Sequence, residues 1–186
     1  MKKTVWTFGL AAGAIMSAMM LLIMKFADQI GFDRGEIIGY TSMVLAFLLV
    51  FFGVRSYRET VCGGRISFRR AFTVGILITA VSCACYVATW EFLYYNVASD
   101  FGDKYAAHQI DKARAAGATQ ADIDARVAEM KRFKEMYKNP LINAAITFVE
   151  PFPVGLLITL VCAVLLRKRP DEPGGVGAAP ATAMLS

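Results

Sequence analysis

Histidine is almost missing from this sequence: His108 is the only one in 186 residues. A lone imidazole leaves little for general-base catalysis, and no His-Glu-x-x-His metal motif can be written with it. There is also no glycine-rich phosphate loop, no Cys-x-x-Cys pair and no Ser-His-Asp set on one face. These absences argue against a soluble-type enzyme, so no catalytic residue, metal site or cofactor is assigned. A membrane enzyme built on carboxylates is the catalytic class they leave open. The four cysteines, Cys62, Cys83, Cys85 and Cys162, fall in segments read as bilayer or cytoplasm, which argues against a disulfide framework. Cys83 and Cys85 stand about 200° apart on a helix, too far round to hold one metal together. They read as small apolar packing residues.

Charge is the second shortage. Only 19% of residues are charged against 56% hydrophobic, with mean hydropathy +0.48, whereas soluble domains carry about a quarter charged residues. What charge there is crowds into residues 55–70, 100–138 and 167–172, leaving long runs that call for lipid. A net charge of +5 would raise nucleic acid as a partner for a soluble protein, but here the cations border apolar runs. Beside a span, positive charge reads as topology and contact with anionic head groups, so nucleic acid is set aside.

Four apolar runs, residues 4–24, 37–54, 71–95 and 141–166, are long enough to cross a membrane. Each residue of helix advances about 1.5 Å across a hydrocarbon core of about 30 Å. The first run follows Lys2-Lys3 and contains Ala12-Gly13-Ala14, a pattern that mimics a cleaved signal peptide. It continues apolar through residues 15–23, which favours an uncleaved helix. Gly9, Gly13 and Ser17 form a small-residue stripe along it, read as packing between spans of one chain rather than as a dimer interface. The second run, 18 residues ending at Arg55, barely crosses the core. The third closes with Trp90, Tyr94 and Tyr95, side chains that favour the head-group level.

Residues 100–138 carry eight basic and seven acidic side chains and read as two extramembrane helices. Gly117 suits the end of the first, and Thr119 with Asp122 resembles a capping box opening the second. Ile123, Val127, Met130, Phe133 and Tyr137 share one face of that second helix, which must be covered by its neighbour, by the membrane surface or by a partner. His108, at helical spacing from Phe101 and Tyr105, reads as a packing or surface residue.

The fold class expected is therefore all-α: a four-helix transmembrane bundle, residues 1–169, with an extramembrane helical hairpin between the third and fourth spans. Residues 170–186, rich in Pro, Gly and Ala, read as a disordered cytoplasmic tail. Placing the N-terminus inside puts ten cations in the cytoplasm: Lys2, Lys3, Arg55, Arg58, Arg65, Arg69, Arg70 and Arg167-Lys168-Arg169. The opposite side keeps Lys25, Arg34 and a charge-balanced segment, so both termini are expected in the cytoplasm. Arg55, Arg58, Arg65, Arg69 and Arg70 are the expected contacts to anionic lipid.

The most unusual stretch is Glu150-Pro151-Phe152-Pro153 within the fourth run. Neither Pro151 nor Pro153 can donate a backbone hydrogen bond, so the carbonyls of Thr147 and Val149 leave the helix ladder and need other partners. Such breaks are tolerated where they line a cavity or are buried in protein. Glu150 lies about 17 residues, roughly 25 Å, above Arg167, and Glu91 about 21 residues, roughly 31 Å, above Arg70. Heights differing by only about 6 Å let both carboxylates share one outward-facing pocket, a candidate proton, cation or substrate site. The competing reading is that each only hydrogen-bonds its neighbouring helices.

The order of these segments carries a resemblance. With Arg55-Ser56-Tyr57-Arg58, Gly63-Gly64-Arg65-Ile66-Ser67-Phe68, the Trp90-Glu91 end of the third span, Phe133-Lys134-Glu135-Met136-Tyr137-Lys138-Asn139-Pro140 and Glu150-Pro151-Phe152-Pro153-Val154-Gly155, the chain resembles the bacterial membrane family catalogued as domain of unknown function 4199, over about residues 2–168. The resemblance implies about four spans in a bacterial inner membrane and no established activity. Three functional readings follow. The first is a structural or accessory membrane protein whose hairpin binds a protein partner. The alternative is a small transporter or proton-linked carrier using Glu150 and Glu91, although no inverted repeat is visible. The third is a membrane-embedded enzyme. Oligomeric state is left open.

Overall fold

The computed structural model describes residues 1–167, and helices are the only regular elements among them. The expected tail, residues 170–186, lies outside the described residues, as do Lys168 and Arg169. The helices run α1 (Lys2–Lys25), a single turn α2 (Ala27–Ile30), α3 (Phe32–Val61), α4 (Phe68–Asn96), α5 (Phe101–Ala115), α6 (Gln120–Tyr137), α7 (Pro140–Val149) and α8 (Phe152–Leu166). Four stretches, α1, α3, α4 and α7 continued by α8, are long and apolar enough to cross a membrane.

The second of these outruns its expected bounds. α3 has 30 residues, about 45 Å of helix against a core of about 30 Å. It passes through Glu36 and Arg55 because a charge ends the apolar run without ending the hydrogen-bond ladder. What ends it is Gly63-Gly64, at φ 60° and 83°, a backbone that side-chain-bearing residues avoid.

α4 is the axis of the bundle, touching α1, α3, α7 and α8. Close approach is bought with small residues. A Cβ at Gly13 would lie 2.6 Å from the Cβ of Cys85, one at Gly9 2.8 Å from Val81, and one at Gly155 would run into Thr79. Further along the same stripe, Ser17 accepts a hydrogen bond from Thr89 at 2.8 Å. The stripe of α1 is thus packing within the chain, with α4 as its partner. Buried hydroxyls cross-link the same contacts: Ser82 donates to the Gly9 carbonyl (3.1 Å) and Thr79 pairs with Thr159 (3.1 Å). Each such bond inside a membrane bundle is worth about 0.6 kcal/mol. Phe47, Val50, Val54, Val74 and Ile78, all fully buried, fill the centre.

Gly117, at φ 74°, closes the turn between α5 and α6. Thr119 and Asp122 then open α6 with a reciprocal capping box, each side chain accepting from the other's backbone amide at 3.3 Å. α5 and α6 pack on each other through Tyr105 against Phe133 and an ion pair of Lys134 with Asp103. Aromatic contacts tie the pair to the bundle. Phe32 of α3 meets Phe101, Tyr105 and His108, and Trp90 of α4 meets Phe101 edge-on at 4.8 Å. On the apolar face of α6, Met130 and Tyr137 are buried, Ile123 and Phe133 half-buried, and Val127 exposed.

Candidate functional site

The fourth crossing stretch is broken. α7 ends at Val149, Glu150 and Pro151 form a turn, and α8 restarts at Phe152 with its Gly155 amide bonded to the Pro151 carbonyl at 3.0 Å. Pro151 cannot donate to the Thr147 carbonyl, which is why the ladder stops there. Pro153 falls in the first turn of α8, where its missing amide costs nothing. Pro151 is buried and Pro153 exposed.

Beside the break lies a cavity of about 960 Å³, at the top of the range for small-molecule pockets, roughly 300–1,000 Å³. Met16 and Met20 of α1, Met43 of α3, Tyr86 and Trp90 of α4 and Thr147 of α7 line it as buried side chains, and Tyr40 of α3 and Glu150 line it as exposed ones. Phe101, Tyr105 and His108 of α5 and Phe133 and Tyr137 of α6 close over it. It occupies the end of the bundle opposite the arginines of residues 55–70, because its walls are the C-terminal halves of α1 and α4 and the N-terminal half of α3.

Within the cavity, the Tyr86 hydroxyl donates to Oε2 of Glu150 at 3.2 Å. Next to it, Trp90 Nε1 donates to Oδ1 of the fully buried Asn143 at 2.9 Å, and Thr147 Oγ1 donates to the same oxygen at 3.3 Å. The rim is charged. Lys104 pairs with Asp100 at 2.9 Å, and Lys112 (2.7 Å) and His108 (3.3 Å) both reach Asp33. Hydrogen bonding to Asp33 holds the Lys112 ammonium above the usual lysine range, and Asp100 does the same for Lys104. Tyr137, roofing the cavity from α6, has its phenol pushed up to about 12 by burial. Asp28 and Glu36 also line the cavity and have no ion-pair partner among the described residues.

The structure brings Glu150 and Thr147 together in this cavity and leaves Glu91 out of its lining. Helical phase is the reason. Glu91 is five residues beyond Tyr86, about 140° round α4, whereas Trp90 is only about 40° away. Glu91 is half-buried, and its Oε1 is buried with no hydrogen-bond partner among the described residues. The arginines divide similarly. Arg55, Arg65, Arg69 and Arg70 are exposed, while the Arg58 side chain is 13% exposed, paired with Glu59 and donating to the Leu166 carbonyl at 3.3 Å. Arg58 therefore caps the end of α8. Tyr40, Tyr86 and Asn143 went unrecognised in the sequence. Their signal was a polar atom in the middle of an apolar run, which must find a partner there. Among the described residues, no three His, Cys, Asp or Glu side chains are grouped to hold a metal ion.

Four helices of this length and hydropathy, with a broken fourth stretch beside a cavity, have the architecture of a multi-spanning helical membrane protein. The family described as Protein of unknown function (DUF4199) matches residues 7–168, and the chain belongs to that family. No curated protein and no solved structure matches the chain at a significant level.

Proposed function

We propose that the protein is a small carrier of the bacterial cytoplasmic membrane that binds a small molecule in the cavity beside Glu150. The observation that carries this reading is the Tyr86–Glu150 pair at the wall of a large cavity, next to a helix broken in mid-span. A carboxylate is expensive in a membrane and is kept where it binds something, and broken helices supply backbone groups for the same purpose. Both termini are cytoplasmic in this reading, with Arg55, Arg65, Arg69 and Arg70 against anionic lipid, and α5 and α6 form an extramembrane hairpin over the outer mouth.

The accessory reading, in which that hairpin docks a protein partner, has less support. Met130 and Tyr137 spend the apolar face of α6 inside the chain, leaving Val127 and Met136 as its exposed apolar side chains. The test is native mass spectrometry of protein released from native-lipid nanodiscs. A small molecule should be retained by the wild type and lost from Met43→Trp, which fills the cavity. Wild type and variant both folded and both empty would overturn the carrier reading.

A further inference from the structure

We propose that the cavity is built for an organic cation, a positive centre carried on apolar groups. This rests on the carrier reading and names its ligand class. Three features of the cavity point the same way.

The first is the charge beside the helix break, where Glu150 is exposed to the cavity it lines. Glu150 has a hydroxyl partner, Tyr86, and no ion-pair partner among the described residues. An anionic ligand would meet this carboxylate at close range, where like charges repel. A neutral ligand would displace water and leave the carboxylate without a counter-charge. A cation resolves both costs.

The second is the balance at the rim. Lys104 pairs with Asp100 and Lys112 with Asp33, and Lys25 lies over the Phe26 ring, so the lining carries five carboxylates, Asp28, Asp33, Glu36, Asp100 and Glu150, against two ammonium groups, Lys25 and Lys104. The excess of negative charge draws cations inward, since a cleft dominated by one sign of charge concentrates the opposite sign. The third is the wall. Tyr40, Tyr86 and Trp90 supply aromatic rings, whose faces attract a cation through the ring quadrupole. Met16, Met20 and Met43 supply soft apolar surface that adapts to irregular groups. A hydrated metal ion would use neither the rings nor the thioethers.

The experiment compares tetraphenylphosphonium with tetraphenylborate, ions of nearly the same shape and opposite charge, by equilibrium dialysis against protein in nanodiscs, with empty nanodiscs subtracted. Wild-type protein should bind the phosphonium saturably and the borate at least tenfold more weakly. Glu150→Gln should weaken phosphonium binding at least tenfold, Glu150→Asp should keep the preference, and Glu129→Gln on the outer face of α6 should change nothing. Met43→Trp should remove saturable binding of both ions. Circular dichroism checks that each variant is folded. Borate binding as tight as phosphonium binding, lost in Met43→Trp, would overturn the cation class and leave the carrier reading standing. Phosphonium binding indifferent to Glu150→Gln, or no saturable binding of either ion, also overturns the proposal. Whether the cavity holds any molecule at all is then read separately from native mass spectrometry.

Discussion

The hydroxyl of Tyr86 donates to the carboxylate of Glu150 across 3.2 Å, joining the middle of α4 to the turn that separates α7 from α8. The bond gives the central helix a direct hold on the one place where the fourth crossing stretch is not helical. It also fixes the direction in which the carboxylate looks, toward the cavity.

That bond should be measurable as a coupling. Tyr86→Phe removes the donor and keeps the ring, and Glu150→Leu removes the acceptor. Each alone should destabilise the protein, and the double variant should fall short of their sum by about 1 kcal/mol, the order expected for contacting residues. Reversible unfolding in mixed micelles gives the cycle. Strict additivity would mean that the two side chains do not hold each other.

Small residues set how close the helices come, so adding one methyl group discriminates sharply. Gly13→Ala and Gly155→Ala place a Cβ against Cys85 and against Thr79 and Phe47, and each should cost about 1–3 kcal/mol through overpacking. Gly39→Ala meets its nearest neighbour, Ile23, at 3.9 Å and should be neutral or slightly stabilising, as alanine is the better helix former. The same unfolding assay ranks the three.

The four long apolar helices were legible in the sequence because apolar length is a local property, and so were Gly117 and the Thr119–Asp122 box. The site was legible by half. The prolines marked the break, and height along the axis put Glu91 and Glu150 at similar depth, but depth says nothing of rotation about a helix. Rotation selects Tyr86 and Trp90 for the cavity and turns Glu91 aside. Arg58 shows the same limit: five arginines read as one cluster in the chain, and only packing against the end of α8 singles one out.

Arg58 and Arg69 should accordingly behave differently. Arg58→Ala strips a donor from the Leu166 carbonyl and should lower the melting temperature in neutral and anionic lipid alike. Arg69→Ala, on an exposed side chain, should leave melting unchanged and reduce retention of anionic lipid by about 1 kcal/mol. Thermal melts in nanodiscs of both compositions and native mass spectrometry of bound lipid separate the two roles.

The first turn of α5 should be acid-sensitive. Its hydrogen bond with Lys104 holds the Asp100 carboxyl below the usual range, so this contribution is present above the ordinary aspartate value, about 4, and is lost as pH falls through the lowered one. The protection of amides 101–105, taken as the exchange rate relative to that of an unstructured amide at the same pH, should stay level from neutral pH to about 5 and fall at lower pH. Asp100→Asn should show the reduced protection already at neutral pH.

The cavity and the proposed orientation can be tested together by thiol labelling in a cysteine-free variant. Met43 is buried and lines the cavity, whereas Leu48 is exposed on α3 and does not line it, so the two positions differ in what they face rather than in distance along the chain. With both termini cytoplasmic, a membrane-impermeant maleimide added outside should label Met43→Cys through the cavity mouth and leave Leu48→Cys, which faces lipid, unlabelled. Phe32 stacks on His108 at 5.0 Å and contacts Phe101 and Tyr105, so it is the principal aromatic contact holding α5 to α3. Adding Phe32→Ala should therefore loosen the roof and speed labelling of Met43→Cys several-fold, with no effect on Leu48→Cys. Labelling of Met43→Cys only from the cytoplasmic side, in inverted vesicles, would reverse the orientation. An unchanged rate with Phe32→Ala would mean that α5 does not control access to the cavity.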